Sequence, residues 1–168
     1  KHKGEKGYLR FLYKNKELKE VEKDWLNTIA EEFLIELENT SMTKSYKMPT
    51  LLALIDNGKL QPAVSLEKVG ITFMNYYKNN ESHQKDLNNK KHKNWEQWGK
   101  EKFVKEAVRN PVKYLSKRKY FIHDEVNQKF MLNKNLKPFL SKQLTEHFLD
   151  IIRYRETRYF HRRFKSED

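Results

Sequence analysis

The chain has 168 residues, of which 37% are apolar, 35% are charged and 13% are aromatic, and its formal net charge is +12. This length provides one sizeable hydrophobic core, and the aromatic content argues against an intrinsically disordered chain. The lack of Cys excludes disulfides, thiolate metal sites and a Cys nucleophile, and no apolar run approaches the roughly 18 residues of a membrane span. We expect a single cytoplasmic domain, residues 1–168, without a membrane partner. Because the sequence begins without Met, we expect it to be a fragment of a larger protein.

The positive charge is concentrated in the second half of the chain. Residues 78–119 contain thirteen Lys and Arg against five Asp and Glu, and residues 153–165 contain six against one. The first forty residues are close to neutral, with eight against nine. A surface with such local charge attracts polyanions, and nucleic acid is the commonest large polyanion in a cell. The composition therefore predicts a DNA- or RNA-binding surface.

Apolar periodicity predicts a helical lobe over about residues 1–78. Residues 25–37 carry apolar side chains at three- and four-residue steps, which is typical of one face of an α-helix. Residues 8–13 are rich in aromatic side chains and fit either a short strand or a helical turn. Too few residues are involved for periodicity to decide between the two.

The next predicted helix has a capping signal at each end. Thr43 or Ser45 is placed to accept a hydrogen bond from its first turn, provided that the helix begins at about Tyr46. Asn57-Gly58 supplies the left-handed residue with which many helices end.

Ser65 is the expected cap of a further helix over residues 66–77, which Gly70 weakens by about 1 kcal/mol relative to Ala. Residues 79–94 follow with several Asn, Lys and His and with no apolar period. This composition predicts a mobile, solvated loop.

The remainder of the chain, about residues 95–168, is predicted to form a helix–hairpin–helix lobe. Its elements are a helix that runs to a break at Asn110-Pro111, a short helix over 112–117, a hairpin with strands 120–123 and 129–132, and a last helix that Ser141 caps after Pro138. The hairpin is indicated by two aromatic and β-branched runs about a short polar turn. The expected fold class is therefore mainly α with one β-hairpin.

The order of elements in the second half is that of a winged helix-turn-helix. The two helices would be residues 101–109 and 112–117, and the wing would be residues 120–132; the short helix then enters the major groove. The residues that would face nucleic acid are Lys113, Lys117, Arg118 and Lys119. A helix pair followed by a hairpin also occurs as plain scaffold in many α+β domains, and the sequence leaves both interpretations open.

The last helix interleaves guanidinium groups with aromatic rings. Arg155, Arg158 and Arg162 stand three and four residues apart, so they form one arginine stripe on a helix, beside Tyr159. Arg contacts phosphate through a forked pair of donors, and Tyr offers a stacking surface to an unpaired base. The sequence favours phosphate contact, although a solvated helix whose rings pack inward has the same pattern.

No residue pattern indicates catalysis. The chain lacks a glycine-rich phosphate loop, and its His residues do not pair at a metal-ligand spacing. We therefore expect no cofactor, no metal and no catalytic residue in this fragment. A nuclease remains a distant alternative, because its carboxylates would converge only in the folded chain.

Residues 41–49 (SMTKSYKMP), followed by the apolar run LLALI at 51–55, resemble a block in the region C-terminal to the motor of large bacterial DEAD/DEAH-box helicases of superfamily two, some of them associated with restriction or phage defence. An aromatic segment before the block (YLRF at 8–11), and a Trp-Gly element (WEQWG at 95–99) and Asn110-Pro111 after it, follow the same order. The resemblance implies an accessory domain that holds DNA or RNA for an ATP-dependent motor elsewhere in the parent protein.

Two functions follow as expectations. The first is a non-catalytic nucleic-acid-binding accessory domain, to which Lys44 and Lys47 contribute if they project from the start of their helix toward phosphate. A capped helix start with a core face behind it explains the same block without a ligand. The second function is a docking domain, whose basic and aromatic face binds another domain of the parent or an acidic protein.

Overall fold

The computed structural model describes residues 6–165, which form a mainly α-helical fold with two small antiparallel sheets. The helices are α1 (Tyr8–Lys14), α2 (Glu20–Lys23), α3 (Ile29–Asn39), α4 (Lys47–Leu52), α5 (Leu66–Lys78), α6 (Glu81–Gln84), α7 (Lys100–Ala107), α8 (Lys113–Leu115) and α9 (Lys142–Lys165). The strands are β1 (Ile55–Asp56), β2 (Lys59–Leu60), β3 (Ala63–Ser65), β4 (Phe121–Asp124) and β5 (Lys129–Leu132). Among the described residues, no helix is both long and apolar enough to cross a lipid bilayer.

Helix α3 confirms the amphipathic helix that the apolar spacing predicts. Thr28 caps it, because its Oγ1 accepts a hydrogen bond from the backbone N–H of Ala30 at 3.1 Å. Phe33 and Leu37 are buried on its inner face, and each such side chain contributes roughly 1.5–3 kcal/mol relative to exposure. The aromatic segment before it is helical rather than extended, and buries Leu9 of α1.

Asn57-Gly58 forms a hairpin turn, so the prediction that it ends a helix is wrong. Ile55 pairs with Leu60 and Asp56 with Lys59, which leaves a two-residue loop between β1 and β2. The φ angles of the loop residues are 47° and 72°. A helix end and a tight hairpin both require positive φ, and Asn-Gly adopts it with little strain in either setting. The Asn-Gly pair is therefore compatible with both a helix end and a hairpin turn, and the sequence alone did not distinguish them.

Helix α4 begins without a side-chain cap. Tyr46 precedes it in a helical conformation, and no side-chain hydrogen bond caps its first turn, so the predicted cap by Thr43 or Ser45 does not form. Ser45 accepts from the Met48 N–H at 2.9 Å through its backbone carbonyl. The Ser45 hydroxyl is buried and shares a 2.7 Å hydrogen bond with the Tyr77 hydroxyl. A buried hydroxyl needs a partner, and this partner comes from α5 rather than from the backbone of α4.

Helix α5 begins as predicted, because Ser65 Oγ accepts a hydrogen bond from the Lys68 N–H at 3.0 Å. Gly70 is the point at which α7 crosses it. A Cβ placed on Gly70 would lie 2.2 Å from Val104 Cγ2 and 2.8 Å from Val104 Cα. The glycine therefore permits a close approach of two backbones, which outweighs its cost in helix propensity.

The predicted hairpin is confirmed by β4 and β5, and the structure adds a third strand. Strand order is β3-β5-β4, with Val64 opposite Phe130 and His123 also opposite Phe130 on the other side. Strand β3 is short and begins directly after Pro62, so periodicity within it gave no signal. The sheet joins the segment before α5 to the β4–β5 hairpin.

Residues 79–94 do not form a solvated loop. They contain α6 and a 3₁₀ turn over Lys90–His92, and Asp86, Leu87 and His92 are buried. Most of the segment is held by hydrogen bonds from polar side chains rather than by an apolar face. Hydrophobic periodicity therefore could not reveal its packing.

The predicted helix break at Pro111 is absent. Helices α7 and α8 are joined by a π-helical turn over Val108–Val112 and run as one continuous helical segment. Pro lacks the N–H that an α-helix needs, and the wider turn accommodates this loss without ending the helix. The two helices expected over 101–109 and 112–117 are therefore one element.

Helix α9 closes the core. Ser141 caps it as predicted, because its Oγ accepts from the Leu144 N–H at 3.1 Å. Phe148 of α9 stacks on Phe33 of α3 with ring centroids 6.1 Å apart. Apolar residues of α1, α3, α4, α5, α7, α8 and α9 belong to one contiguous buried cluster.

Candidate nucleic-acid interface

A wide groove of the described chain is strongly basic. It has a volume of about 1150 Å³, and three separate segments line it: the end of α3 with the following block, the turn at 89–92, and the end of the α7–α8 segment. Among residues 6–165, the cations that line it are Lys44, Lys47, Lys90, Lys91, Arg109, Lys117 and Arg118, and the one carboxylate is that of Glu36. We call this surface the basic groove. Such an excess of cations is the electrostatic footprint of a polyanion site.

The first wall is the end of α3, from Glu36, together with residues 40–47, where Lys47 is held beside the end of the helix. Its Nζ donates to Thr40 Oγ1 and to the Ser41 carbonyl, each at 2.8 Å. Burial lowers the pKa of Lys47, and the nearby guanidinium groups of Arg155 and Arg118 lower it further against the opposing effect of Glu36. Burial is therefore the main reason for the lowered pKa of Lys47, and the nearby cations make smaller contributions.

Asp86 fixes this wall to the rest of the molecule. Its buried carboxylate accepts from the Ser45 N–H at 2.8 Å, from the Tyr159 hydroxyl at 2.8 Å and from Arg163 Nη2 at 2.6 Å. Lys44 Nζ lies 3.8 Å from the same carboxylate. We call these contacts the Asp86 network. They place one buried anion among two cations and two neutral donors, which offsets its desolvation.

The second wall is the turn that carries Lys90 and Lys91 at the surface. Asn89 shapes it: its Oδ1 accepts from the Lys91 N–H, and its Nδ2 donates to the Asp86 carbonyl, both at 3.0 Å. Lys90 and Lys91 are exposed. Their ammonium groups are thus presented by a turn that is itself anchored to the Asp86 network.

Behind this turn, Glu106 links the buried His92 to the guanidinium of Arg109. His92 Nε2 lies 2.7 Å from Glu106 Oε1, and Arg109 donates to both oxygens of Glu106. Burial alone would raise the pKa of Glu106, but the hydrogen bonds from His92 and Arg109 lower it to about 2. Glu106 is therefore ionised at neutral pH and holds Arg109 at the groove.

The third wall is α8 with the residues after it. Tyr114 is 48% exposed, and Lys117 Nζ lies 4.6 Å from the centroid of its ring. Arg118 Nη2 lies 3.1 Å from Glu36 Oε2, across to the first wall. Of the other cations predicted on this element, Lys113 is exposed outside the groove lining, and Lys119 pairs with Glu32.

The arginine stripe does not act as a uniform surface. Arg155 Nη1 donates to the Leu37 carbonyl at 3.0 Å near the end of α3, and burial, with a smaller effect from Arg162, lowers its pKa. Arg158 lies against the Tyr154 ring, and Arg162 is exposed. Arg155 thus serves the fold by binding the carbonyl end of a helix.

Tyr159 is not available as a stacking surface for a base. The residue is 5% exposed, and its hydroxyl is bound within the Asp86 network. It lies on the same face of α9 as the buried Phe148 and Ile152, so the helical period already indicated an inward position.

Several groove residues lack any local sequence signal. Lys90 and Lys91 belong to a segment that resembles a solvated loop, and Arg109 precedes an apparent helix break. Tyr114 carries a weak signal, because Lys117 and Arg118 follow at the three- and four-residue steps that place side chains on one helix face. Only the fold brings the three walls together.

The chemistry of the groove favours anions. Within residues 6–165, no group of three or more His, Cys, Asp or Glu side chains is arranged to hold a metal ion. The lining supplies ammonium and guanidinium donors together with the amides of Asn39, Asn89 and Asn110. These groups match phosphate oxygens and the polar edges of sugars and bases.

No protein-family model, curated protein or solved structure matches this chain. The likeness of residues 41–49 to a helicase block therefore stays a prediction. The geometry of the groove carries the functional argument.

Proposed function

We propose that the protein is a non-catalytic nucleic-acid-binding module and that the basic groove holds the sugar–phosphate backbone. The observation that carries this proposal is the convergence of seven cations from three separate segments on one groove, whose described lining holds a single carboxylate, that of Glu36. Phosphate contacts supply most of the affinity of such surfaces, and they make binding depend steeply on salt.

The strand order supports a winged helix-turn-helix in which the helices differ from those predicted from sequence. Strand β3, helix α5, the α7–α8 segment and the β4–β5 hairpin follow one another, and the sheet order is β3-β5-β4. In this assignment, α7–α8 is the helix that faces nucleic acid, and residues 79–99 are an insertion between the two helices. The end of α7–α8 lines the groove, as the assignment requires.

The wider role follows from the helicase resemblance. An accessory domain that binds DNA or RNA keeps a strand in place while a motor domain elsewhere in the parent hydrolyses ATP. The other domains of the parent are then its protein partners. The residues 41–49 that carry the resemblance supply the first wall of the groove through Lys44 and Lys47.

A docking function is the second candidate, and the surface of α1 favours it. Tyr8, Phe11 and Tyr13 are all about half exposed there, and the first two rings stack on each other. None of the three lines the basic groove. Exposed aromatic residues of this kind are enriched at protein interfaces.

The test of nucleic-acid binding is a fluorescence-anisotropy titration with single- and double-stranded DNA and RNA oligonucleotides over a series of salt concentrations. A groove variant with Lys90→Gln, Lys91→Gln and Lys117→Gln is compared with the unmodified chain. We expect saturable binding that weakens log-linearly with salt, and a slope that falls by about two to three in the variant.

The matched control removes the same charge away from the groove. Lys59, Lys134 and Lys137 are exposed and do not line it, so Gln at these three positions should leave the slope nearly unchanged. Equal slopes for the two triple variants would mean that net charge rather than the groove attracts nucleic acid. Absence of saturable binding by the unmodified chain would favour docking.

A further inference from the structure

One aromatic ring in the basic groove is about half exposed, with the ammonium group of Lys117 over it. Two tyrosines line the groove, Tyr46 and Tyr114. Tyr46 is 8% exposed, and its hydroxyl donates to the Asp86 carbonyl at 2.6 Å. Tyr114 is 48% exposed, so about half of this large apolar side chain lies in a groove that is otherwise polar and charged.

The backbone holds Tyr114 in place although the ring is exposed. The neighbouring Val112 and Leu115 are buried, and the Tyr114 carbonyl accepts from the Lys117 N–H at 3.3 Å. The helical turn continues through Arg118, whose N–H donates to the Leu115 carbonyl at 3.0 Å. The ring is therefore carried by a packed element rather than by a free loop.

Two cations flank the ring at helical spacing. Lys117 and Arg118 follow Tyr114 by three and four residues, and all three side chains line the groove. Lys117 Nζ lies over the ring at 4.6 Å from its centroid, and Arg118 reaches Glu36 on the first wall. A base stacked on the ring would have its phosphates within the range of these cations.

We propose that the basic groove takes an unpaired stretch of DNA or RNA and that Tyr114 is the stacking platform for one of its bases. This inference rests on the proposed function and deepens it by naming the strand form. In a duplex each base is already stacked between its neighbours, whereas an unpaired base offers a free π-face. Phosphate contacts alone do not distinguish the two forms, so the exposed ring supplies the preference.

The test compares Tyr114→Ala with the unmodified chain, against a single strand and a duplex of equal length and at fixed salt. Stacking on one aromatic side chain is worth roughly 5- to 150-fold in affinity when the side chain is truncated to Ala. We expect a loss in this range for the single strand and a change below about twofold for the duplex. Tyr114→Phe keeps the ring and should retain single-strand affinity.

A matched control is available on α9. Tyr154 is 62% exposed and carries a cation over its ring, with Arg158 Cζ 5.7 Å from the centroid, but it does not line the groove. Tyr154→Ala should leave single-strand affinity unchanged. A single strand that contains 2-aminopurine adds a direct readout, because its fluorescence should be quenched on binding to the unmodified chain and not on binding to Tyr114→Ala.

The outcomes separate this inference from the proposed function. The stacking role is refuted if Tyr114→Ala weakens the binding of single strand and duplex equally, or weakens the binding of neither. If the triple Lys variant still lowers the salt slope in that case, the groove nevertheless binds nucleic acid. If the unmodified chain binds neither form, the proposed function fails first. A selective loss with Tyr114→Ala that Tyr114→Phe restores confirms the inference.

Discussion

The basic groove and the arginine stripe of α9 have similar sequence character and different structures. Both combine cations with aromatic residues, and both predict phosphate contact from composition alone. In the groove, seven cations come from three segments and face one open volume. In the stripe, Arg155 binds a helix carbonyl, and the neighbouring Tyr159 is buried. A basic and aromatic sequence therefore indicates a binding surface only after the contacts of each cation are known.

The two regions are also connected, because the Asp86 network joins the first wall of the groove to α9. Asp86→Ala should give the largest effect of the changes considered, a loss of about 3 to 5 kcal/mol in the free energy of unfolding. The reason is that Arg163 and the buried Tyr159 hydroxyl lose their shared anion. Urea unfolding followed by circular dichroism measures this loss.

Asp56→Ala is the matched control. Asp56 is an exposed carboxylate that pairs with Lys68 Nζ at 3.1 Å, so its removal should cost less than about 1 kcal/mol. Equal losses for the two variants would show that Asp86 does not link the groove to α9.

The third wall of the groove rests on the crossing of α5 and α7, which Gly70→Ala should disturb. Ala favours a helix over Gly by about 1 kcal/mol, but the added Cβ would overlap Val104, and overpacking costs about 1 to 3 kcal/mol. We expect a net loss of up to about 2 kcal/mol in the free energy of unfolding, measured by thermal or urea denaturation. A gain in stability would contradict the close crossing.

Val104→Ala combined with Gly70→Ala refines this prediction. The double variant removes the contact with Val104 Cγ2 but not that with Val104 Cα, at 2.8 Å. Stability should recover only in part relative to Gly70→Ala, because the remaining overlap is with backbone. Full recovery would place the conflict in the side chain alone.

The Glu106 carboxylate, which binds His92 of the second wall, makes the free energy of unfolding depend on pH. Its pKa falls from an ordinary 4.5 to about 2 in the folded chain, so the folded state binds fewer protons than the unfolded state between these values. The stabilisation is present above about pH 5 and is lost as the pH falls toward 2, by about 3 kcal/mol in full and by about 2 kcal/mol between pH 7 and pH 3. Urea unfolding at pH 7 and at pH 3 measures it.

Glu106→Gln should remove this part of the pH dependence, because Gln does not titrate. Glu67→Gln is the control: Glu67 also pairs with a cation, Lys100 at 2.8 Å, but it is exposed. It should leave the pH dependence close to that of the unmodified chain. If Glu106→Gln also leaves the pH dependence unchanged, the ionisation of Glu106 does not cause it.

The fold was predictable where apolar side chains repeat at a helical or strand period. Helices α3, α5 and α9 and the β4–β5 hairpin are confirmed, with the caps at Ser65 and Ser141. Periodicity reports burial on one face of an element, and these elements bury one face. Strand β3, with three residues, is too short to show a period.

The groove was predictable only in part. Lys44, Lys47, Lys117 and Arg118 were candidates from sequence, and all four line it. Lys90 and Arg109 were not candidates from sequence. Hydrogen bonds between polar groups, rather than an apolar period, hold the turn that carries Lys90 and orient the Arg109 side chain. A buried carboxylate such as Asp86 looks like any surface Asp in the sequence, and its partners are 41 to 77 residues away.

The stripe itself provides the finest test of the comparison, because its three arginines should behave differently when each is changed to Gln. Arg155→Gln should lower the free energy of unfolding by about 1.5 kcal/mol through its bond to the Leu37 carbonyl, and should leave the salt slope of binding unchanged. Arg162→Gln should lower the slope by at most about one and leave stability unchanged, because the side chain is exposed. Arg158→Gln should resemble Arg162→Gln, apart from the loss of its contact with the Tyr154 ring. Anisotropy titrations and urea unfolding of the three single variants separate phosphate contact from stabilisation of the fold. Three equal effects on the salt slope would instead mean that the stripe is a continuous phosphate-binding surface and that the groove is only one part of the interface.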